Sequence, residues 1–210
     1  MDLACLDSCV SAEYIANPGC FATVIQLSLL PLAKAGLLKN DVHINAITGS
    51  TGAGQSFSET AHFSWRNNNV SVYKPFAHQH LDEIGESIHS LQSNYDKSLN
   101  FIPVRGDFTR GIFSSLYTKT EVQEEFLIDL YKEFYKDAPF TFVQEETVHL
   151  KQVVNTNNCI ISVQKVDGKI LISGAIDNLL KGAAGQAIQN MNLMFGWKQT
   201  LGLEFKASYF

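Results

Sequence analysis

Apolar residues recur at helical spacing in three segments of the chain, which predicts helices over residues 20–38, 79–95 and 121–135. Pro31 should bend or interrupt the first of them, and Gly36 suits its end. A fourth helix is predicted to close the chain up to about residue 195, because Asp177 or Asn178 can cap its start.

Runs of alternating or β-branched apolar residues predict strands between these helices. The predicted strands cover residues 42–47, 100–104, 111–119, 148–154, 159–166 and 169–176. Asp167-Gly168, between the last two, is a strong two-residue hairpin signal. Strands joined in this way favour a mixed, mostly antiparallel sheet. Helices covering one face of it make the fold class α+β rather than doubly wound α/β.

Composition and charge narrow the functional classes. Apolar residues make up 45% and charged residues 18% of the chain, so a sizeable core can form. A net charge of -5 without a basic patch argues against a nucleic-acid partner. No apolar run is long enough to span a membrane and no signal peptide is visible, which favours the cytoplasm and free thiols. The Cys and His residues are too scattered for a metal site.

Cys20 is the first candidate for chemistry. Pro18 and Gly19 place it at a helix start, where free N–H groups and a partial positive charge stabilise a thiolate. The alternative is a buried, structural cysteine. Pro and Gly often precede helices, so their presence does not by itself indicate catalysis.

His78, His80 and Glu83 form the second candidate. Glu83 lies three residues after His80 and shares its helix face. A carboxylate there can hold the imidazole tautomer while the other ring nitrogen handles a proton. A solvated helix start without function is the alternative.

Three further segments have both a functional and a structural interpretation. The Gly49–Gly54 loop could cradle an anion through its N–H groups, or be a plain tight loop without a Walker A ending. Arg105 and Arg110 could hold a carboxylate or phosphate, or be surface charges. Gly182 and Gly185 inside a predicted helix indicate a close approach of another backbone or a ligand, or an ordinary helix–sheet contact.

Taken in order, these motifs resemble those of the N-acetyl-gamma-glutamyl-phosphate reductases. The matching stretches are residues 17–23 (Asn-Pro-Gly-Cys-Phe-Ala-Thr), 47–54, 78–80 with Glu83-Ile84, 110–112 and 177–194. The resemblance covers the chain from about residue 14 to its end, and it is specific because several motifs occur in the same order.

The resemblance implies a domain like the C-terminal domain of glyceraldehyde-3-phosphate dehydrogenase. It also implies NADPH-dependent reduction of an N-acyl-glutamyl 5-phosphate to the 5-semialdehyde in arginine biosynthesis. Cys20 would attack the acyl phosphate to give a thioester, which hydride then reduces. His80 by preference, or else His78, would handle the proton.

The same resemblance implies further site residues. The substrate-binding set is Arg110, Arg105, Asn17 and Glu83, and the cofactor-binding set is Ser50, Gly52, Gly54 and Asn190.

In the family a nucleotide-binding domain precedes the Cys motif, whereas sixteen residues precede Asn17 here and a βαβ unit needs ~30. We therefore expect a lead-in over residues 1–16, a catalytic and assembly domain over 17–176, and a closing helix and tail over 177–210. The closing part should pack toward the missing domain. An isolated chain should bind NADPH weakly or not at all and be inactive as a reductase. It should self-associate through apolar surface around Gly182 and Gly185.

Two other functional classes stay open at this point. One is a hydrolase or acyltransferase that uses Cys20 and His80 without a nucleotide. The other is a non-catalytic assembly module, in which Cys20 would react no faster than a free thiol.

Overall fold

A computed structural model describes residues 10–55 and 58–208 of the chain. Cys5, Cys9 and most of the predicted lead-in lie outside these ranges. The helices are α1 (Cys20–Lys34), α2 (Phe63–Arg66), α3 (His80–Leu91), α4 (Glu124–Tyr135) and α5 (Gly185–Met194). The strands are β1 (Val42–Thr48), β2 (Ser71–Val72), β3 (Leu99–Arg105), β4 (Ile112–Lys119), β5 (Thr141–Gln144), β6 (Cys159–Val166) and β7 (Lys169–Ile176).

The strands form one sheet in the order β2-β3-β1-β4-β7-β6-β5. The pairs β1–β3 and β5–β6 are parallel, and the other four pairs are antiparallel. Asp167 and Gly168 both have positive φ, 49° and 68°, as a tight hairpin between β6 and β7 requires. The predicted α+β class, with a mixed and mostly antiparallel sheet, is confirmed.

Helix α1 lies at the centre of the core, against β4, β7, α3 and α4. Nearly all of its side chains are buried, including Phe21, Ile25 and Leu29. Burial on every face explains why its apolar pattern is broad rather than a narrow stripe. The helix holds its first residue, Cys20, in a fixed position at one end of the sheet.

Pro31 does not interrupt α1, because the helix continues through it to Lys34 before the chain turns at Gly36 (φ 68°). A bend at Pro31 stays a prediction. Proline lacks the N–H that would bond to the carbonyl of Leu27. The hydroxyl of Tyr135 in α4 donates to that carbonyl at 2.5 Å instead. A buried tertiary hydrogen bond therefore replaces the one that proline removes.

The predicted strand over residues 148–154 is also wrong. This segment forms a 3-10 turn, Leu150–Gln152, and a small apolar cluster in which Val148 and Val153 pack on Ala175. The strand in this region is the shorter β5, which precedes it. Val148 and Val153 are apolar because they cover one end of the sheet face opposite α1, not because they pair in the sheet.

The closing segment begins with a π-helical turn, Leu180–Ala184, and continues as α5. Asp177 caps it as predicted, since its Oδ1 accepts the N–H groups of Leu179 (2.8 Å) and Leu180 (2.9 Å). Gly182 and Gly185 are buried, whereas Phe195 further along is 64% exposed. No helix within the described ranges is long and apolar enough to cross a membrane.

Candidate active site

Two glycines bring other parts of the chain against Cys20, the first residue of α1. A Cβ atom on Gly19 would lie 2.2 Å from Nε2 of His80, so the imidazole rests on the backbone just before Cys20. A Cβ atom on Gly182 would lie 2.8 Å from Cβ of Cys20. Neither contact leaves room for a side chain. This explains the glycine between Pro18 and Cys20 and the glycine inside the closing segment.

Glu83 joins the first turn of α3 to the start of α1. Its Oε2 accepts the backbone N–H of Gly19 at 2.9 Å, and its Oε1 lies 3.9 Å from Nε2 of His80. The amide of Gln26 in α1 donates to the carbonyl of Glu83 at 3.0 Å. The structure therefore brings Cys20, His80 and Glu83 together. The three-residue spacing predicted the pairing of His80 with Glu83, and the family resemblance implied that Cys20 lies beside them.

The resting state of Cys20 differs from the expected thiolate. Burial raises the pKa of the Cys20 thiol, the N–H groups of Phe21 and Cys20 lower it, and the charge of Glu83 raises it further. The N–H groups at the helix start thus act in the expected direction, but burial raises the pKa of the thiol more than they lower it. Burial lowers the pKa of His80, with Glu83 acting in the opposite direction. The imidazole is thus neutral near pH 7 and can accept a proton from the thiol.

His78 lies behind His80 in an aromatic cluster. Its ring packs edge-on against Phe21 and Phe101, both at 5.5 Å between centroids, and its Nδ1 accepts the N–H of His80 at 3.3 Å. Burial, followed by the charges of His80 and Lys74, lowers the pKa of His78 to about 4. This surrounding favours a supporting role for His78 and leaves His80 as the imidazole beside Cys20.

Tyr73 lies near the candidate site, and the sequence did not indicate it. Burial raises its pKa to about 12, Arg105 lowers it, and Cys20 raises it. The guanidinium of Arg105 lies 4.7 Å from the centre of the Tyr73 ring. Tyr73 therefore links the predicted binding residue Arg105 to the neighbourhood of Cys20. The sequence pattern that could have indicated Tyr73 is weak: it is an aromatic residue five positions before His78, in a stretch without periodicity.

Arg110 belongs to a second group of residues at the start of the closing segment. Its Nε lies 2.6 Å from Oδ2 of Asp177, an ion pair that lacks the alignment of a hydrogen bond. The Asp177 carboxylate is fully buried, and the same Oδ2 accepts the N–H of Asn155 at 2.7 Å. Arg110 thus neutralises a capping carboxylate, and its role in substrate binding stays a prediction.

The Gly49–Gly54 loop uses its backbone donors internally. The N–H groups of Gly49, Ser50 and Thr51 donate to carbonyls of residues 108–111, and those of Gly52 and Gly54 donate to carbonyls within the loop. The suggestion that these groups cradle an anion is therefore wrong for this structure. Placement of Ser50, Gly52 and Gly54 beside a cofactor stays a prediction.

A buried lysine anchors a chain of amide side chains that leads to Asn17. Nζ of Lys181 donates to Oε1 of Gln186 at 2.7 Å, Gln186 donates to Asn190 at 2.9 Å, and Asn190 donates to Asn17 at 3.1 Å. Because an ammonium only donates, it fixes the direction of every bond in this relay. Lys181 is 2% exposed, and burial lowers its pKa to about 8. The relay orients the two predicted site residues Asn17 and Asn190.

A cleft of about 460 Å³ lies between α1 and α3, next to this relay. Asn17, Glu83 and Asn190 line it together with the apolar side chains of Leu27 and Leu30. Three of the predicted substrate and cofactor residues thus face one space beside the start of α1.

The fold and these motifs define the class of protein. Residues 20–178 match the family model described as "Semialdehyde dehydrogenase, dimerisation domain". The chain belongs to this family. Solved structures agree at the level of the fold: aspartate semialdehyde dehydrogenase II from Vibrio cholerae has a TM-score of 0.66 at 15% identity, over 87% of this chain and 62% of that one. A probable aspartate-semialdehyde dehydrogenase from Pseudomonas aeruginosa has a TM-score of 0.67 at 13% identity, over 93% and 67%.

Curated relatives indicate a narrower group within this family. The N-acetyl-gamma-glutamyl-phosphate reductase of Flavobacterium johnsoniae is 64% identical over 94% of this chain and 61% of its own length. The N-acetyl-gamma-glutamyl-phosphate reductase of Christiangramia forsetii is 60% identical, over 95% of this chain and 62% of its own length. The resemblance predicted from the motifs is confirmed. The chain spans about three-fifths of the length of these relatives.

Proposed function

We propose that the chain is the catalytic portion of an NADPH-dependent reductase that converts an N-acyl-glutamyl 5-phosphate to the 5-semialdehyde and phosphate in arginine biosynthesis. The observation that carries the proposal is the packing of the His80 imidazole on Gly19, directly before the candidate nucleophile Cys20. The names of the curated relatives and the order of the motifs support it.

The first half of the reaction needs only this chain's own groups. Neutral His80 takes the proton of the Cys20 thiol as the sulfur attacks the acyl carbonyl, and the bond to phosphate breaks. Phosphate leaves and the acyl group stays on sulfur as a thioester. Glu83 stabilises the imidazolium that forms, and the N–H groups at the start of α1 stabilise negative charge at the reacting centre.

The second half requires a hydride, which bound NADPH supplies. When the carbon–sulfur bond breaks and the aldehyde leaves, protonated His80 returns its proton to Cys20. Asn190 fits a place beside the cofactor because its amide keeps one donor and one acceptor free after its bonds to Asn17 and Gln186. The N–H groups of the Gly49–Gly54 loop already donate to carbonyls of the chain, so the loop does not fit a phosphate cradle. The Ser50 hydroxyl would remain as its contact to the cofactor.

We infer that residues outside this chain complete the cofactor site in the whole protein. The extra length of the curated relatives supports this, since the chain covers 61% and 62% of two of them. The isolated chain then forms the thioester without reducing it. We place the protein in the cytoplasm, where thiols such as Cys20 stay reduced.

We further propose that the chain forms a homo-oligomer through the sheet face opposite α1. The matched family model describes a dimerisation domain. On that face Tyr117 is 44% exposed, Phe142 is 47% exposed, and Leu171 lies beside Tyr117 on the neighbouring strand. Sedimentation velocity tests the proposal: Tyr117→Asp should yield monomers, and Phe195→Asp in the closing segment should not. The reverse pattern would place self-association at the closing segment.

The time course of phosphate release tests the proposed reaction. The chain mixed with an acyl phosphate should release one phosphate per Cys20 in a burst and then stop, because nothing reduces the thioester. Cys20→Ser should abolish the burst, and Cys159→Ser should not affect it. Continuous release without a burst would favour the hydrolase or acyltransferase class, and no release would favour the assembly module.

A further inference from the structure

Arg66 is a buried guanidinium that the rest of the molecule leaves incompletely bonded. It is 7% exposed, and its Nε and Nη1 have no hydrogen-bond partner among the described residues. Its Nη2 makes two long contacts of 3.4 Å, to the carbonyl of Asn69 and to Oγ of Ser71. Buried donors of a charged group are costly to leave unpaired, so this arrangement indicates a missing partner.

Arg105 lies beside Arg66 at the edge of the sheet. Ser71, which Nη2 of Arg66 contacts, is the direct partner of Arg105 in the antiparallel pair β2–β3. Arg105 also has a buried Nε without a partner within the described ranges. Burial and then the charge of Arg105 lower the pKa of Arg66, as expected for two adjacent cations. The two guanidinium groups lie at neighbouring positions, and each has a buried Nε without a hydrogen-bond partner among the described residues.

No carboxylate in the described part of the chain pairs with either arginine. Asp107 is near enough to raise the pKa of Arg66, but its Oδ2 accepts the backbone N–H of Asn68 at 2.8 Å. The positive charge of the pair is therefore left for a ligand to balance.

The pair is connected to the candidate nucleophile. The Arg105 guanidinium lies against the ring of Tyr73, and the centre of that ring lies 6.5 Å from the ring centre of Phe21, the residue after Cys20.

We propose that Arg66 and Arg105 form an oxyanion subsite that binds an anionic group of the acyl phosphate substrate. The proposal rests on the proposed function and adds Arg66 to the substrate-binding residues. Two guanidinium forks suit the planar carboxylate and the tetrahedral phosphate alike, so the shared chemistry is an oxyanion. Arg110 does not complete the pair, because Asp177 already holds it.

The small number of arginines permits a direct test on the whole chain. The sequence contains Arg66, Arg105 and Arg110 only, so the arginine Nε–H region of a nitrogen-correlated NMR spectrum holds three signals. Single Arg→Lys substitutions assign them. Inorganic phosphate and glutarate, a dicarboxylate of glutamyl chain length, are titrated separately.

We expect the Arg66 and Arg105 signals to shift together with one dissociation constant while the Arg110 signal stays in place. Arg66→Lys and Arg105→Lys keep the charge but lose the fork, and each should weaken binding by about tenfold or more, read on the remaining arginine. Lys119→Met, at the opposite end of β4, removes one charge and should leave the constant unchanged.

Saturation by phosphate alone assigns the subsite to the phosphoryl group, and saturation by glutarate alone assigns it to a carboxylate. The proposal is overturned if neither anion moves the two signals, if Arg110 moves equally, or if the lysine variants bind as tightly as the parent chain. The readout does not depend on Cys20, so it is separate from the phosphate burst that tests the proposed reaction.

Discussion

Gly182 lies so close to Cys20 that a side chain would not fit between them: a Cβ atom on Gly182 would lie 2.8 Å from Cβ and 3.1 Å from Cα of Cys20. The π-helical turn of the closing segment therefore rests directly on the first residue of α1. This contact makes the closing segment part of the Cys20 site.

Gly182→Ala tests this contact. The added methyl group must displace Cys20 or the π-helical turn, which should cost about 1–3 kcal/mol of unfolding free energy and slow the phosphate burst. Gly85→Ala is the matched control, since nothing lies within 4 Å of a Cβ there and a helix interior gains about 0.5–1 kcal/mol from the change. Equal effects of the two substitutions would contradict the contact.

The negative charge of Glu83 should raise the pKa of both the Cys20 thiol and the His80 imidazole. In Glu83→Gln the amide oxygen can still accept the N–H of Gly19, but the negative charge is gone. Because that charge raises the pKa of both Cys20 and His80, both pKa values should fall. The pH profile of Cys20 alkylation by iodoacetamide should move to lower pH.

Histidine NMR signals should show the matching fall for His80. Glu86→Gln, an exposed residue one turn further along the same helix and lining the same cleft, is the control. It removes an equal charge that shifts neither pKa, so both profiles should stay in place. A shift of the Cys20 profile to higher pH would contradict the electrostatic role of Glu83.

Lys181 should give the protein a recognisable dependence of stability on pH. Its folded pKa of about 8 lies below the usual 10.5, so between these values the unfolded chain binds more protons. Unfolding free energy should therefore rise with pH across this window, by about 3 kcal/mol from this group. Below pH 8 Lys181 is protonated in both the folded and the unfolded chain, so its contribution to the unfolding free energy no longer changes with pH.

Lys181→Met should remove this rise, measured by urea unfolding at several pH values. Buried groups such as Cys159, whose pKa burial raises to about 12, act in the opposite direction but are present in both proteins. Lys198→Met, which removes an exposed lysine, is the control. If the unfolding free energies of the parent chain and Lys181→Met depend on pH in the same way, burial does not lower the pKa of Lys181 and the prediction is wrong.

The features that the sequence predicted correctly depend on patterns over a few neighbouring residues. β6, β7 and the Asp167-Gly168 hairpin were predicted with correct bounds because alternation and turn chemistry act over a few residues. Cys20, His80 and Glu83 were predicted as site residues, and the pairing of His80 with Glu83 follows from their three-residue spacing. Their contact with Cys20 depends on the packing of α3 against α1. Their catalytic roles stay a prediction.

The remaining features depend on contacts distant in the chain. Nothing local shows that Tyr135 would satisfy the carbonyl freed by Pro31. Lysine is rarely buried, so a fully buried Lys181 could not be expected from its position. Arg66 and Tyr73 lie in a stretch without periodicity, and only the pairing of β2 with β3 brings Arg66 next to Arg105.

Acylation of Cys20 is the central claim, and the mass of the chain after incubation with N-acetyl-glutamyl 5-phosphate tests it most directly. The account predicts one added acyl group, located on the Cys20 peptide, released by hydroxylamine and absent in Cys20→Ser. His80→Gln should form the same adduct more slowly, by about a hundredfold or more. An unmodified Cys20 in the folded chain, or an adduct that persists in Cys20→Ser, would contradict the account.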